Sequence, residues 1–137
     1  MTAQSIALAR AAEALVGTPF RPGGRHVLTG LDCFGLVAAA LSSIGREAPT
    51  LPIRRLKQPS FLQFLPLATM AGLAETDDAI APGDVLLSSP GPAQFHLLIA
   101  DSKGGFIHAH AGLRRVVQTS SPLPWPILRQ WRLTENG

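Results

Sequence analysis

The order of two hydrophobic patterns constrains the fold of this 137-residue chain more than any other feature. Up to residue 45 the apolar side chains recur at the spacing of helices, whereas after residue 84 short apolar stretches alternate with turn-forming residues. Helices followed by consecutive short strands indicate an α+β domain, in which the helices pack on an antiparallel sheet. The length suits one hydrophobic core, so we expect a single domain over residues 1–137.

Two helices are predicted in the first part of the chain. The first spans residues 5–16 and ends at Gly17. In the second, Asp32 is a favourable N-cap, Cys33 is the first helical residue, and Gly45 fits the position just beyond the C-terminus.

Short strands are predicted after a turn at residues 82–84. They lie near residues 85–88, 94–100, 105–110, 114–119 and 127–133. Residues 101–105 are expected to join two of them as a hairpin loop. Before the turn we expect a Pro-rich connection over residues 46–59 and a short helix over residues 60–70, bent at Pro66.

Cys33 is the single cysteine, so it cannot form an internal disulfide and is a candidate nucleophile. At the first turn of a helix, the peptide dipoles and free N–H groups favour the reactive thiolate. The adjacent Asp32 opposes this effect unless it is occupied as the cap, and a nearby imidazolium would outweigh both. The alternative is a buried apolar cysteine, because Cys33 lies at the end of the apolar stripe of the helix.

His96 and His108 lie on either side of the predicted hairpin loop. If the strand pair is centred near residue 102, the two imidazoles lie opposite each other on one face, and a register one residue out breaks this pairing. One imidazole can then accept the thiol proton while the other fixes its tautomer. His110 shares the strand face of His108, as a rim residue or a substitute orienting group.

Composition and motifs exclude several classes of function. The net charge is only +3 and the basic residues are scattered, so we expect no nucleic-acid partner. No stretch approaches the about 20 apolar residues of a membrane span. Arg10 and Glu13 interrupt the apolar run of a signal peptide, which predicts synthesis in the cytoplasm. A zinc site would need Cys33 and the histidines, but their spacing is not that of a zinc motif, so we expect neither a metal nor another cofactor.

Several segments, in order, resemble the NlpC/P60 family of cell-wall cysteine peptidases. They cover residues 15–24, 30–37, 82–87, the strand of His96, residues 105–109 and the closing residues 124–131. The 12-residue separation of His96 and His108 is also similar to the usual spacing of the two histidines in that family. Each segment alone is a weak signal, but together they cover nearly the whole chain.

The resemblance implies a papain-like α+β fold, with N-terminal helices packed on a small antiparallel sheet. It implies that Cys33 is the nucleophile, His96 the general base and His108 the residue that orients the base. The implied reaction is hydrolysis of an amide in the peptidoglycan stem peptide, typically between D-γ-glutamyl and a diamino acid. Backbone N–H groups at the helix start would stabilise the oxyanion.

The resemblance also gives candidate substrate-binding residues around the cleft. These are Phe20, Arg25, His26, Asp32 and Phe34. Since the stem peptide carries carboxylates, Arg21, Arg25 or His26 would help to hold it.

Two departures from the family pattern affect the prediction. Phe20 stands where the family usually has tyrosine, so the role of that hydroxyl is lost or is filled by His26 or a backbone group. Phe34 replaces the common serine after the cysteine, which is similar to members in tailed phages and gene transfer agents. We therefore expect delivery to the wall by a phage-like particle, with tail or hub proteins as partners.

Two alternatives remain open. The chain could be a catalytically weak or inactive family member that serves as a structural tail or wall-binding subunit, which the loss of tyrosine at Phe20 favours. It could instead be a thiol amidase that acts on a γ-glutamyl substrate outside the wall.

Overall fold

Two helices precede a strand-rich second part in the computed structural model, which describes residues 2–47, 65–66, 68–92 and 94–134. The helices are α1 (Ala3–Ala14) and α2 (Cys33–Ser43), and between them lie the short strands β1 (Arg25–His26) and β2 (Gly30–Leu31). The later strands are β3 (Leu73–Glu75), β4 (Val85–Gly91), β5 (Gln94–Ala100), β6 (Phe106–His110), β7 (Arg115–Thr119) and β8 (Ile127–Leu133). The α+β class expected from the sequence is confirmed.

The ends of both helices follow from their capping residues. Thr2 caps α1 by accepting the N–H of Ser5 at 3.1 Å, so this helix begins two residues before the predicted start. Asp32 caps α2, as predicted: its Oδ1 accepts the N–H of Gly35 at 2.7 Å. Gly45, at φ +81°, ends α2 by donating to the carbonyl of Ser42 at 3.0 Å, in a left-handed conformation that glycine adopts without steric cost.

The later strands form one antiparallel sheet in the order β3-β8-β4-β5-β6-β7, and β1 pairs with β2 separately. The five strands predicted after residue 84 are all present. β3 lies outside the prediction because three residues are too few to show an alternating pattern. It pairs with β8 at the edge of the sheet.

Residues 17–20 lie along the free edge of β7 and carry the chain towards α2. Gly17 donates to the carbonyl of Val116 at 2.9 Å, and Phe20 donates to that of Arg114 at 2.9 Å. This segment between the helices is therefore held on the sheet next to the strand that ends at Thr119.

The main core lies between the helices and one face of the sheet. It includes Leu8, Leu36, Leu41, Val85, Leu87, Leu97, Ile99, Ile107, Val116 and Trp131. A second, smaller cluster contains side chains of alternate residues on the strands, Leu86, Leu98, Ala100 and Phe106, and Trp125 packs against it. The sheet is thus covered on both faces in its central part.

The hairpin of β5 and β6 corrects the predicted register. Asp101 accepts the N–H of Gly105 at 2.7 Å, which centres the loop on residue 103 instead of 102. The pairs are Ile99 with Ile107 and Ala100 with Phe106, so His96 does not lie directly opposite His108. Among the described residues the ladder contains only these two pairs, although both strands continue. β5 and β6 therefore separate on the N-terminal side of Ile99, towards His96.

Gly35 allows the start of α2 to lie against the loop that precedes it. A Cβ atom at this position would overlap the carbonyl oxygen of Gly24. The glycine two residues after Cys33 is therefore required by close backbone packing, although glycine is a poor helix former.

Parts of the predicted middle segment lie outside the described residues. Residues 65–66 and 68–70 are helical, in agreement with the short helix predicted over 60–70. The remainder of that helix and nearly all of the connection over 46–59 are not described. Within the described part of the chain, no helix has both the length and the apolar character needed to cross a bilayer.

We expect Gly35→Ala to lower the free energy of unfolding by about 1–3 kcal/mol, because the added methyl group forces the helix away from Gly24. Ser42→Ala adds the same good helix former on the exposed side of α2 and should leave the stability equal or slightly higher. Urea unfolding of the two variants measures both effects. A Gly35→Ala protein as stable as the wild type would contradict the close contact.

Candidate active site

Hydrogen bonds join polar side chains of three neighbouring strands. Nε2 of His96 on β5 lies 2.9 Å from Nδ1 of His108 on β6. Nε2 of His108 lies 2.7 Å from Oγ1 of Thr119 on β7. The two histidines therefore meet as predicted despite the shifted register, because long side chains at diagonal positions of adjacent strands still reach each other.

Burial keeps both imidazoles uncharged near neutral pH. His108 is only 1% exposed, and the ring of Trp125 packs edge-on against both histidines, with centroids 5.9 Å from His96 and 5.7 Å from His108. Burial lowers the pKa of His96 to about 3, and repulsion from His108 and His110 adds to this effect. Burial, followed by repulsion from His110, lowers the pKa of His108 to about 4.

Cys33, the first residue of α2, meets β5 beside His96. Its side chain packs against the main core and keeps part of its surface exposed. The backbone of Leu97, the residue directly after His96, and that of Phe34 lie close enough to the thiol to lower its pKa. Since the ladder between β5 and β6 has ended before Leu97, the thiol meets β5 where the two strands have parted.

The pKa of the Cys33 thiol differs from the sequence-based expectation. Burial raises it from 9.0 to about 12, and the charge of Asp32 adds to the rise. The polar backbone groups of Leu97 and Phe34 and the charge of Arg25 lower it, but they do not compensate for burial. The prediction of a lowered thiol pKa is therefore wrong for the protein without substrate, because desolvation outweighs the helix start and the histidines carry no charge.

Three of the predicted substrate-binding residues contact one another at the start of α2. Nη1 of Arg25 lies 2.6 Å from Oδ1 of Asp32, the carboxylate that caps the helix. The Arg25 guanidinium also lies over the ring of Phe34, 4.9 Å from its centroid. Their contact with substrate stays a prediction, and burial opposes it for Phe34, which is 3% exposed.

The remaining predicted residues lie around this group. Phe20 is half-buried against the main core, and its backbone N–H donates to the carbonyl of Arg114, the residue before β7. His26 is exposed on the β1–β2 hairpin, where its Nδ1 accepts the N–H of Leu28 at 3.2 Å. His110 lies at the rim, with its ring centroid 5.8 Å from that of His108.

Thr119 is the member of the site that sequence reasoning missed. In the β6–β7 register Thr119 pairs with Phe106, which lies two residues before His108 on the same face. The side chains of His108 and Thr119 are therefore diagonal neighbours on that face. No residue type in the intervening turn marks that register, so the sequence carries no signal for this contact.

Among the described residues, no group of three or more His, Cys, Asp or Glu side chains has the arrangement needed to hold a metal ion. The histidines are engaged with each other and with Thr119. The expectation that the protein needs no metal remains a prediction.

A family model described as the NlpC/P60 family matches residues 17–126, which include Cys33, both histidines of the pair and Thr119. The chain belongs to the NlpC/P60 family. No curated protein is significantly similar to it. The resemblance found in the sequence motifs is therefore confirmed at the level of the family, and the predicted fold is confirmed with it.

Solved structures of NlpC/P60 proteins share this fold. NlpC1 from Trichomonas vaginalis superposes with a TM-score of 0.71 and 20% identity over 96% of this chain and 46% of its own. The NlpC/p60 domain of the peptidoglycan hydrolase SagA gives 0.61 and 27%, over 94% of this chain and 98% of that domain. The peptidoglycan hydrolase RipB from Mycobacterium tuberculosis gives 0.60 and 20%, over 96% and 66% of the two chains.

This chain spans about half the length of the two Trichomonas vaginalis proteins it matches, 46% of one and 49% of the other. It corresponds in length to the isolated SagA domain, of which it covers 98%. The common part is therefore the NlpC/P60 domain itself.

The pKa values of Cys33 and His96 predict the reactivity of the free thiol. With a thiol pKa of about 12, the rate of alkylation by iodoacetamide should rise about tenfold per pH unit from pH 6 to 10. Free cysteine, with a pKa of about 8.5, should level off within that range. A Cys33 rate that is independent of pH between 5 and 8 would instead show a preformed thiolate–imidazolium pair.

Proposed function

We propose that this protein is a cysteine hydrolase of peptidoglycan that cleaves an amide bond in the stem peptide. The observation that carries the proposal is the hydrogen-bonded pair of the partly buried His96 and the buried His108, next to Leu97, whose backbone acts on the Cys33 thiol. Membership of the NlpC/P60 family supports it. So does the fold shared with SagA and RipB, which are described as peptidoglycan hydrolases.

His96 acts as the general base through Nδ1, because its Nε2 is bound to His108. Cys33 and His96 both start uncharged, since the thiol pKa is about 12 and that of His96 about 3. The thiol proton therefore moves to His96 as Sγ attacks the carbonyl carbon. The imidazolium returns that proton to the leaving amine when the C–N bond breaks, and water then hydrolyses the thioester.

The start of α2 stabilises the negative charge that develops on the carbonyl oxygen. Asp32 already binds the N–H of Gly35 through its carboxylate and that of Leu36 through its carbonyl. The first turn then offers the backbone N–H of Cys33 next to the reacting sulfur. We assign this N–H to the oxyanion.

Arg21 and His26 are the candidates for binding the carboxylates of the stem peptide. Both are exposed on the loop and hairpin that precede α2. Arg25, in contrast, is engaged by Asp32, so we assign it to support of the helix start. The D-γ-glutamyl–diamino acid bond, synthesis in the cytoplasm and delivery by a phage-like particle with tail or hub partners are predictions from the sequence.

Two observations favour the second candidate function, that of a catalytically weak subunit. The Cys33 thiol has a pKa of about 12, and Phe20 offers no hydroxyl where the family usually has tyrosine. Slow turnover by an intact domain is the expected behaviour in that case. The hydrogen bond between His96 and His108 opposes this alternative.

Mass spectrometry of digested peptidoglycan tests the proposal. We expect new stem-peptide fragments with the wild type and none with Cys33→Ala or His96→Ala, because each variant removes one partner of the proton transfer. Their masses identify the bond that is cut. Arg10→Ala, an exposed change on α1, is the matched control and should retain the wild-type fragments.

Three outcomes contradict the proposal. The same fragments from Cys33→Ala would show that the activity does not use the thiol. No fragments from the folded, reduced wild type would favour the structural subunit, and turnover of a small γ-glutamyl peptide without any action on the wall would favour the amidase.

A further inference from the structure

The hydrogen-bond chain that begins at His96 ends on a hydroxyl group that the proposed reaction does not use. His108 is nearly fully buried, and its Nε2 lies 2.7 Å from Oγ1 of Thr119 on the neighbouring strand. Both nitrogens of His108 therefore have partners, one on each adjacent strand. The partner of Nε2 influences which of the two nitrogens carries the proton.

Two proton arrangements satisfy this chain when both imidazoles are neutral. In the first, Nε2 of His96 donates to Nδ1 of His108, and Nε2 of His108 donates to Thr119. In the second, Nδ1 of His108 donates to His96, and the Thr119 hydroxyl donates to Nε2 of His108. Each imidazole carries one proton in both cases, so the two arrangements differ only in direction.

Only the first arrangement is compatible with a base at His96. In the second, Nε2 of His96 accepts a hydrogen bond, so the one proton of this imidazole lies on Nδ1. Nδ1 then has no lone pair to accept the proton of the thiol. The first leaves Nδ1 of His96 as a lone pair. The first arrangement also fits the state in which His96 is an imidazolium. Nε2 of that imidazolium must donate a hydrogen bond to Nδ1 of His108, so the proton of His108 lies on Nε2, which donates to Thr119.

We propose that Thr119 is a positioning residue that accepts a hydrogen bond from the Nε2–H of His108 and thereby holds His96 in the tautomer that can act as the base. The contribution of Thr119 to catalysis rests on the proposed thiol hydrolase function. No proton passes to Thr119 during the reaction: the thiol proton moves to His96 and then to the leaving group.

The surroundings of the pair leave the hydroxyl of Thr119 as the partner of Nε2. Trp125 contacts both imidazoles with its ring, and the other titratable group that acts on them, His110, lies with its centroid 5.8 Å from that of His108. The Nδ1 of His110 is occupied, because it accepts the N–H of Leu113 at 3.0 Å.

Nitrogen-15 NMR of the imidazoles tests the proposal on the whole chain without substrate. In the wild type at pH 7, we expect His108 to carry its proton on Nε2 and His96 to have an unprotonated Nδ1. His108→Gln assigns the signals. A wild-type His108 protonated on Nδ1 would overturn the proposal before any variant of Thr119 is made.

Thr119→Val removes the hydroxyl while keeping the shape of the side chain. We expect the Nδ1-protonated form of His108 to become populated, because an unpaired buried N–H is unfavourable. The kcat for wall fragments should fall about tenfold with KM unchanged, which corresponds to about one lost hydrogen bond. Thr119→Ser restores the hydroxyl and should return both the tautomer and kcat to within about threefold of the wild type.

Thr76→Val is the matched control, since it removes a threonine hydroxyl that accepts the N–H of Asp78 at an exposed turn. It should change neither readout. A Thr119→Val protein with the wild-type tautomer and turnover would refute the proposal. If the wild type cleaves no wall fragment but its His108 tautomer changes in Thr119→Val, the hydrolase function fails while the positioning of His108 stands.

Discussion

The hydrogen bond between Nε2 of His96 and Nδ1 of His108, at 2.9 Å, is the contact on which the rest of the site depends. In the reaction that we propose, it fixes which nitrogen of His96 remains for the thiol of Cys33. Among the described residues it forms beyond the last pair of the β5–β6 ladder, so the imidazoles join the two strands where the ladder has ended. The thiol meets β5 at this same place, close to the backbone of Leu97.

Burial determines the charge states of the Cys33 thiol and of the His96 imidazole. The start of α2 favours a thiolate, but it acts on a sulfur whose pKa is raised to about 12 by desolvation. His96 is likewise kept neutral, with a pKa of about 3. Both groups are therefore uncharged at neutral pH, and in the reaction that we propose their charges separate only when the carbonyl is attacked.

Local signals in the sequence predicted the elements of the fold better than the contacts between them. Asp32 and Gly45 marked the ends of α2, because caps depend on one or two residues. The predicted register of β5 and β6 is wrong by two residues, which corresponds to a one-residue shift of the loop centre, since it depends on how Asp101 closes the loop with Gly105. The contact of Thr119 with His108 depends on a further register and was not predictable at all.

Capture of the covalent intermediate tests most directly whether Cys33 and the histidine pair form one catalytic unit. Wild-type protein mixed with a stem-peptide fragment and quenched in acid should gain the mass of the acyl part on Cys33. His96→Ala should show no such adduct. Cleavage of the fragment by a protein that never carries an acyl group, or an adduct that forms equally fast in His96→Ala, would contradict the pairing of Cys33 with His96.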